Sequence, residues 1–232
     1  MRLLTRIVRR IERLLTPNLD QFLHRCRGVI HVGANVGHDR THYASLGLRV
    51  IWIEPIPEIF ATLRRNITPY PDQKALNYLV TDSDGKEYDF HVASNEGGSS
   101  SIFEFGRHAE IWPQVSYVRT IKLTSVTLPS LLRREQINLS DYDALVMDTQ
   151  GSELLILRGV ASQLHAFQFV KVEAATFEVY KGCSTLAEID LFMAQNGFER
   201  HRRQKFAECP SGGACYNVVY RRSMIQRSTC LT

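Results

Sequence analysis

A chain of 232 residues, 44% of them apolar, is long enough to bury one sizeable core, and its length predicts a single main domain. No stretch approaches the roughly 20 apolar residues of a membrane span, and the start lacks the pattern of a secretory signal peptide. The net charge of +4 lies entirely in the first 15 residues, which hold five arginines and one glutamate. A nucleic-acid partner is therefore not expected, because such enzymes carry a basic stripe across their working face.

The five cysteines are scattered and odd in number. This usage is typical of reduced thiols and predicts a cytoplasmic protein. Cys209 and Cys215 lie close in sequence, but no second pair of thiols completes the four ligands of a structural zinc site. We therefore expect no metal there.

The chain opens with an amphipathic basic helix, predicted over residues 2–15. Residues 1–17 form this segment, 18–222 the main domain and 223–232 a tail. We favour a helix packed on the domain with its arginines in water. The alternative is a weak contact with an anionic membrane surface.

Strand and helix patterns then alternate along the chain. Apolar, β-branched runs predict strands at 28–33, 50–53, 76–80, 118–123, 144–147 and 169–172. Helical spacing predicts helices at 38–46, 57–66, 128–136, 153–164 and 186–196. Turn residues predict a hairpin arm at 86–92 and a closing antiparallel hairpin formed by 198–206 and 214–221. The alternation predicts a doubly wound α/β fold, with a mainly parallel sheet and a C-terminal antiparallel hairpin.

A glycine-containing loop follows the first predicted strand. It contains Gly33, Ala34, Asn35 and Gly37, and it leads directly into a helix. The glycines allow a tight turn, and Asn35 tolerates a left-handed backbone. Free N–H groups at the start of the helix suit a carboxylate or a phosphate, so the loop is a candidate ligand site.

An acid ends the second predicted strand. Glu54, followed by Pro55, comes 21 residues after Gly33, which places it to accept hydrogen bonds from two ribose hydroxyls. The loop lacks the G-x-G-x-x-G spacing of dinucleotide sites, and this favours a nucleoside ligand without a pyrophosphate, such as S-adenosylmethionine (SAM). Thr81 and Asp82, at the predicted end of the third strand, would then flank the adenine.

Two further acids end the fourth and fifth predicted strands. Asp148 and Glu173 are expected to face the middle of the cleft. Glu153 falls in the first turn of the following helix, where the helix dipole favours a negative charge, so we expect it to cap that helix.

Several segments together resemble the FkbM-type methyltransferases. They are HVGANVG, IEP, SSS, DTQGSELLILRG and KVEAATFEVYKG, and the resemblance covers about residues 28–206. It implies a class I SAM-dependent methyltransferase fold and methylation of a hydroxyl on a sugar or another small molecule. It also implies that Gly33, Asn35, Gly37 and Glu54 hold SAM and that Asp148 lies near the methyl group.

The sequence departs from this family at two positions. The family usually has an acid at the position of His31, where it often contacts the SAM amino group. It often has Glu at the position of Gln150. An amide cannot take a proton, so Gln150 is not a base, and we expect it to hydrogen-bond the acceptor.

Transfer to a hydroxyl needs a general base, and the candidates are Asp148, Glu173 and His31, of which we prefer Asp148. His38 and His42 have the spacing of a helical metal pair, but no metal is expected so close to a cofactor loop. Two other functions remain open: a nucleotide-dependent oxidoreductase, and a non-catalytic module that binds SAM or another nucleoside.

The segment 96–116 is glycine-rich and polar at first and aromatic later. One interpretation is a lid in which Ser100 and Ser101 face the acceptor. The other is a surface excursion whose aromatic side chains pack on the sheet.

Overall fold

The computed structural model describes residues 19–223. The predicted N-terminal helix and all but the first residue of the predicted tail lie outside this range. The described chain begins with a 3₁₀ helix, Leu19–Arg25. None of the helices between residues 19 and 223 is long and apolar enough to cross a membrane.

Seven strands form the main sheet. In chain order they are β1 (Gly28–Val32), β2 (Arg49–Ile53), β3 (Gln73–Leu76), β7 (Ala144–Met147), β8 (Phe169–Ala175), β9 (Phe198–Glu208) and β10 (Ala214–Arg222). Their spatial order is β3-β2-β1-β7-β8-β10-β9. The first five strands of this order are parallel, and β10 runs antiparallel to both β8 and β9. This order and the closing hairpin confirm the predicted doubly wound, class I methyltransferase-like fold.

A smaller sheet lies beside the main one. It contains β4 (Leu79–Val80), β5 (Glu87–Ala93) and β6 (Tyr117–Val126), in the order β4-β6-β5. Strand β6 pairs in parallel with β4 and antiparallel with β5.

The described helices are short. They are α1 (Arg40–Ser45), α2 (Pro57–Ile67), α3 (His108–Ile111), α4 (Leu128–Arg134), α5 (Glu153–Gly159) and α6 (Leu186–Gln195). Local chemistry fixes their starts: α2 begins at a proline, and the Oγ1 of Thr127 accepts a hydrogen bond from the N–H of Ser130 at the start of α4. Thr185 and Glu188 form a capping box at α6.

The two faces of the sheet bury separate apolar clusters. Helices α4, α5 and α6 pack on one face, which receives Ile30 and Val32 from β1. Helices α1 and α2 and the first 3₁₀ helix pack on the other, which receives Val29. Because side chains alternate along a strand, His31 points to the same face as Val29.

Three predicted elements need correction. The predicted strand 76–80 is two strands in different sheets, with Asn77 and Tyr78 between them. The arm at 86–92 exists as β5, but it pairs with β6 rather than with the strand before it. The predicted helix 153–164 is interrupted: α5 ends at Gly159, and a 3₁₀ helix runs over Ala161–Ala166. Gly159 lies directly against the backbone of Thr81, where a Cβ would be 2.5 Å from the carbonyl oxygen.

Candidate active site

A cavity of about 180 Å³, here the central cavity, opens beyond the carboxyl ends of β1, β2 and β7. This is the edge of the sheet where doubly wound folds bind ligands. Among the sequence-predicted site residues, the structure brings seven to its walls: Gly33, Asn35, Glu54, Pro55, Ser100, Asp148 and Gln150.

The loop after β1 adopts the left-handed backbone expected of it, with φ of 78° at Gly33, 45° at Asn35 and 74° at Gly37. Close packing, in addition to the positive φ, requires glycine at positions 33 and 37. A Cβ on Gly33 would lie 1.9 Å from the carbonyl oxygen of Asp148, and one on Gly37 would lie 2.7 Å from Leu63.

Two residues of this loop therefore need correction as cofactor contacts. Gly37 packs against α2, and Ala34 is 4% exposed inside the second apolar cluster. Neither residue lines the central cavity.

Glu54 forms one wall of the cavity and is only 5% exposed. Its Oε1 accepts a hydrogen bond from the N–H of Ile56 and its Oε2 accepts one from the N–H of Asn35, each at 2.9 Å. Burial raises the pKa of Glu54 to about 7, although both backbone bonds favour the charged form. Each oxygen keeps a second lone pair, so the carboxylate that holds the loop can also accept two ribose hydroxyls.

One end of the cavity is apolar, and no pattern in the sequence predicted it. Its walls are Ile56, Tyr78, Leu79, Val80 and Phe90. Ile56 lies just before α2 and Phe90 lies on β5, whereas Tyr78, Leu79 and Val80 reach the cavity because the predicted strand 76–80 is divided. A flat, apolar-faced group such as a purine suits these walls.

Thr81 and Asp82, predicted beside the adenine, do not line this cavity. Thr81 is fully buried, and its N–H donates to the carbonyl of Val126. Asp82 accepts a hydrogen bond from Ser83. They follow β4 in the smaller sheet, not the third strand of the main sheet, and this displacement removes them from the cavity.

Two carboxyl groups meet at the end of the cavity near β7 and β8. The side chains of Asp148 and Glu173 are within hydrogen-bonding reach of each other, which requires one proton between them. Burial and the neighbouring charge of Asp148 raise the pKa of Glu173 well above its usual value. Desolvation raises the pKa of Asp148 as well, although the hydrogen bonds from Glu173 and Gln150 oppose this shift. Because the hydrogen bond between them lowers the pKa of Asp148 and raises that of Glu173, Glu173 is the group that holds a proton shared by the pair.

Gln150 is held at both ends of its amide. Its Nε2 donates to Oδ1 of Asp148 and its Oε1 accepts from the hydroxyl of Tyr180, each at 2.5 Å. The predicted role of Gln150, a hydrogen bond to the acceptor, thus competes with two bonds inside the protein. The carboxylate of Glu153, predicted to cap the following helix, accepts from the N–H groups of Thr149 and Gly151 in the loop before α5.

His31 is wrong as a candidate base. It points to the opposite face of the sheet, where its ring stacks on Trp52 at 5.0 Å between centroids and its Nδ1 lies 3.2 Å from the hydroxyl of Tyr43. Burial lowers its pKa to about 3, with the positive charge of Lys171 as the next cause. A histidine that stays neutral in the core has no route to a substrate proton.

Ser101 is also misplaced as an acceptor contact. It is fully buried, its hydroxyl donates to the carbonyl of Gln150 at 2.7 Å, and it accepts from the N–H of Phe103. Ser100 does line the central cavity, but its hydroxyl accepts from the N–H of Ala93.

The segment 96–116 packs against the rest of the domain. Phe105 stacks between His108 and Tyr117, and the N–H groups of Gly106 and His108 donate to the carbonyl of Val179. These contacts favour the predicted surface excursion over the lid.

His38 lines the central cavity just before α1 begins, a position that the sequence analysis did not anticipate. No group of three or more potential ligand side chains is arranged to hold a metal ion within residues 19–223. The four cysteines of this range, Cys26, Cys183, Cys209 and Cys215, are free thiols.

Solved structures with a similar chain course include several methyltransferases. They are precorrin-6y C5,15-methyltransferase from Geobacter metallireducens GS-15 (12% identity, 84% of this chain and 80% of that chain, TM-score 0.47), magnesium protoporphyrin IX methyltransferase from Synechocystis PCC 6803 (11%, 84% and 73%, 0.47) and TrmK from M. capricolum (8%, 90% and 69%, 0.49). A comparison with curated proteins found no match.

The family described as "Methyltransferase FkbM domain" matches residues 31–200, from the end of β1 to the start of β9. This range includes Asp148, Glu173 and all the walls of the central cavity. The match confirms the methyltransferase class and, with it, SAM as the cofactor that the resemblance implied. The chain belongs to the FkbM methyltransferase domain family.

Proposed function

We propose that this protein transfers a methyl group from SAM to a hydroxyl of a sugar or another small neutral molecule. The observation that carries the proposal is the position of Asp148, which is held by Gln150 at the wall of a cavity that Glu54 also lines. SAM supplies an activated methyl group on a sulfonium, so the protein has to align the acceptor and remove its proton.

The residues of the central cavity fit the parts of SAM. Glu54 offers two oxygens to a ribose, the apolar walls around Tyr78 and Phe90 suit an adenine, and the loop at Gly33 and Asn35 suits the amino-acid end. Asp148 also lines the cavity, between the loop and Gln150, which donates to it. This arrangement supports a site for SAM, and the residues described as lining the cavity include no lysine or arginine for a pyrophosphate.

Asp148 is the proposed general base. In the proposed reaction the acceptor oxygen gains the methyl group, the sulfonium becomes a neutral thioether, and the hydroxyl proton passes to Asp148. Gln150 and the protonated Glu173 hold the carboxylate in place by donating to it. Positioned acid–base groups of this kind contribute about 10²–10⁴ in rate.

Calorimetric titration with SAM and with NAD tests the cofactor, and formation of S-adenosylhomocysteine with a panel of neutral hydroxyl acceptors tests the reaction. We expect binding of SAM, no binding of NAD, and product only with a hydroxyl acceptor. Binding of NAD in preference to SAM would contradict the proposal. Binding of SAM without turnover on any acceptor would favour a non-catalytic module.

A further inference from the structure

A second cavity, here the side cavity, lies next to the central one beyond the end of β8. It has a volume of about 40 Å³. Most of its walls are apolar or aromatic, and they include Trp112, Ala175, Phe177, Val179, Tyr180 and Cys183. Its polar walls are carboxyl, amide and hydroxyl groups, among them Glu173 and Gln150.

The two cavities meet at Gln150, which lines both of them. On the central side the amide of Gln150 donates to Asp148, and on the other side it accepts from Tyr180, a wall of the side cavity. The carboxyl pair spans the same boundary, because Asp148 lines the central cavity and Glu173 the side cavity. A hydroxyl at this boundary would reach Asp148 while the carbon atoms next to it occupy the side cavity.

The charges of the side cavity select against an anionic acceptor. Among the described residues that line it there is no lysine, arginine or histidine. Neither of its two acidic side chains, Glu173 and Glu153, can pair with an anion, and the oxygens of Glu153 already accept from backbone N–H groups. A carboxylate or phosphate here would be desolvated without a partner, at a large cost in free energy.

The size of the cavity limits what enters it. A buried water needs about 10–15 Å³ of such volume. A volume of about 40 Å³ therefore holds about three non-hydrogen atoms. Apolar walls favour carbon for most of these atoms, and a ring face such as that of Trp112 suits C–H groups.

We propose that the side cavity is the acceptor site and that it binds an uncharged molecule through a short aliphatic segment adjacent to the hydroxyl that is methylated. This proposal rests on the proposed function, since it assigns the reacting hydroxyl to Asp148. It narrows the acceptor to neutral alcohols and excludes those with a carboxylate or phosphate beside the reacting hydroxyl.

Three small probes test the chemistry, applied to protein saturated with S-adenosylhomocysteine. Propane-1,2-diol is uncharged, lactate replaces its terminal CH₂OH by a carboxylate, and glycerol replaces its methyl group by a polar one. Binding is followed by the methyl NMR signals of Ala174 and Val179, which line the side cavity. We expect propane-1,2-diol to shift these signals with an affinity at least about tenfold higher than that of lactate, and glycerol to bind more weakly than the diol.

Two variants locate the probe. Ala175→Leu fills the cavity from β8, and Ser184→Leu fills it from a half-buried position that is safer for folding. Both should abolish the shifts that the diol causes at Val179, whereas Ala194→Leu on the exposed face of α6 should not.

Each outcome bears on one proposal. Lactate binding as tightly as the diol would overturn the uncharged acceptor, and diol shifts that survive Ser184→Leu would overturn the side cavity as its site. Absence of any shift in protein that binds S-adenosylhomocysteine would overturn the acceptor site. Failure to bind S-adenosylhomocysteine would overturn the proposed function itself.

Discussion

Replacing Glu54 by glutamine tests the cofactor site at its most informative position. The change keeps the size of the side chain and one acceptor oxygen but replaces the other oxygen by an NH₂ group. One backbone N–H, of either Asn35 or Ile56, then loses its acceptor, and a ribose hydroxyl loses its charged partner. A hydrogen bond to a charged group contributes about 1.5–3 kcal/mol. We therefore expect SAM to bind about 10- to 150-fold more weakly.

The pH dependence of SAM binding gives a second readout of the same change. Burial raises the pKa of Glu54 to about 7, and only the charged form accepts from both hydroxyls. Affinity should thus rise between about pH 6 and about pH 8 in the wild type more than in Glu54→Gln. The effect on stability has the opposite sign. Because the pKa of Glu54 is about 7 in the folded state and near 4.5 in the unfolded state, the folded state binds this proton more tightly. The free energy of unfolding therefore falls as the pH rises from about 4.5 to about 7.

Calorimetric titration with SAM measures both effects. Glu58→Gln is the matched control, because Glu58 is an exposed acid at the start of α2, paired with Arg119, that does not line the central cavity. Unchanged affinity and unchanged pH dependence in a folded Glu54→Gln protein would refute this assignment of the ribose.

Three further changes probe the base, the core histidine and the loop. Asp148→Asn should lower the rate of methyl transfer about 10²–10⁴-fold and leave SAM affinity within a few-fold, as single-turnover kinetics and calorimetry would show; an unaltered rate would exclude Asp148 as the base. His31→Phe should reduce the loss of stability between about pH 7 and about pH 5 by about 2 kcal/mol in urea unfolding, because the unfolded state takes up a proton near pH 6.5 that the buried ring refuses. Equal acid sensitivity of variant and wild type would contradict the burial argument. Gly33→Ala should cost about 1–3 kcal/mol more than Gly47→Ala in thermal unfolding, since both positions have a left-handed backbone but only Gly33 has a carbonyl oxygen in the place of a Cβ. Equal costs would show that the loop relaxes freely.

The sequence was sufficient for the parts of the fold that depend on local patterns. Apolar runs located β1, β2, β7 and β8, and the order of strands and helices led to the doubly wound sheet. Local patterns did not predict elements whose position depends on residues distant in the sequence. Strand β3 begins with Gln73, a polar residue whose burial depends on accepting a hydrogen bond from Trp52, and nothing in the local pattern indicates that bond.

The site was predictable where a residue ends a strand. Glu54, Asp148 and Glu173 lie close to the carboxyl ends of β2, β7 and β8, and the parallel sheet brings those ends to one edge. His31 was misassigned although the signal was present: with Ile30 and Val32 in the other cluster, strand alternation directs its ring away from the cavity.

The acceptor side could not be read in the same way. Ser101 and Tyr180 are far apart in sequence, and only the docking of 96–116 onto 177–181 brings both to Gln150. Likewise, the walls around Phe90 depend on the smaller sheet, whose pairing of β5 with β6 spans a long excursion.

A crystal structure with S-adenosylhomocysteine tests the central claim most directly. The account predicts both ribose hydroxyls within hydrogen-bonding distance of the Glu54 carboxylate, the adenine between Tyr78 and Phe90, and the sulfur directed towards Asp148. A ligand bound elsewhere, or one whose ribose has no contact with Glu54, would contradict it.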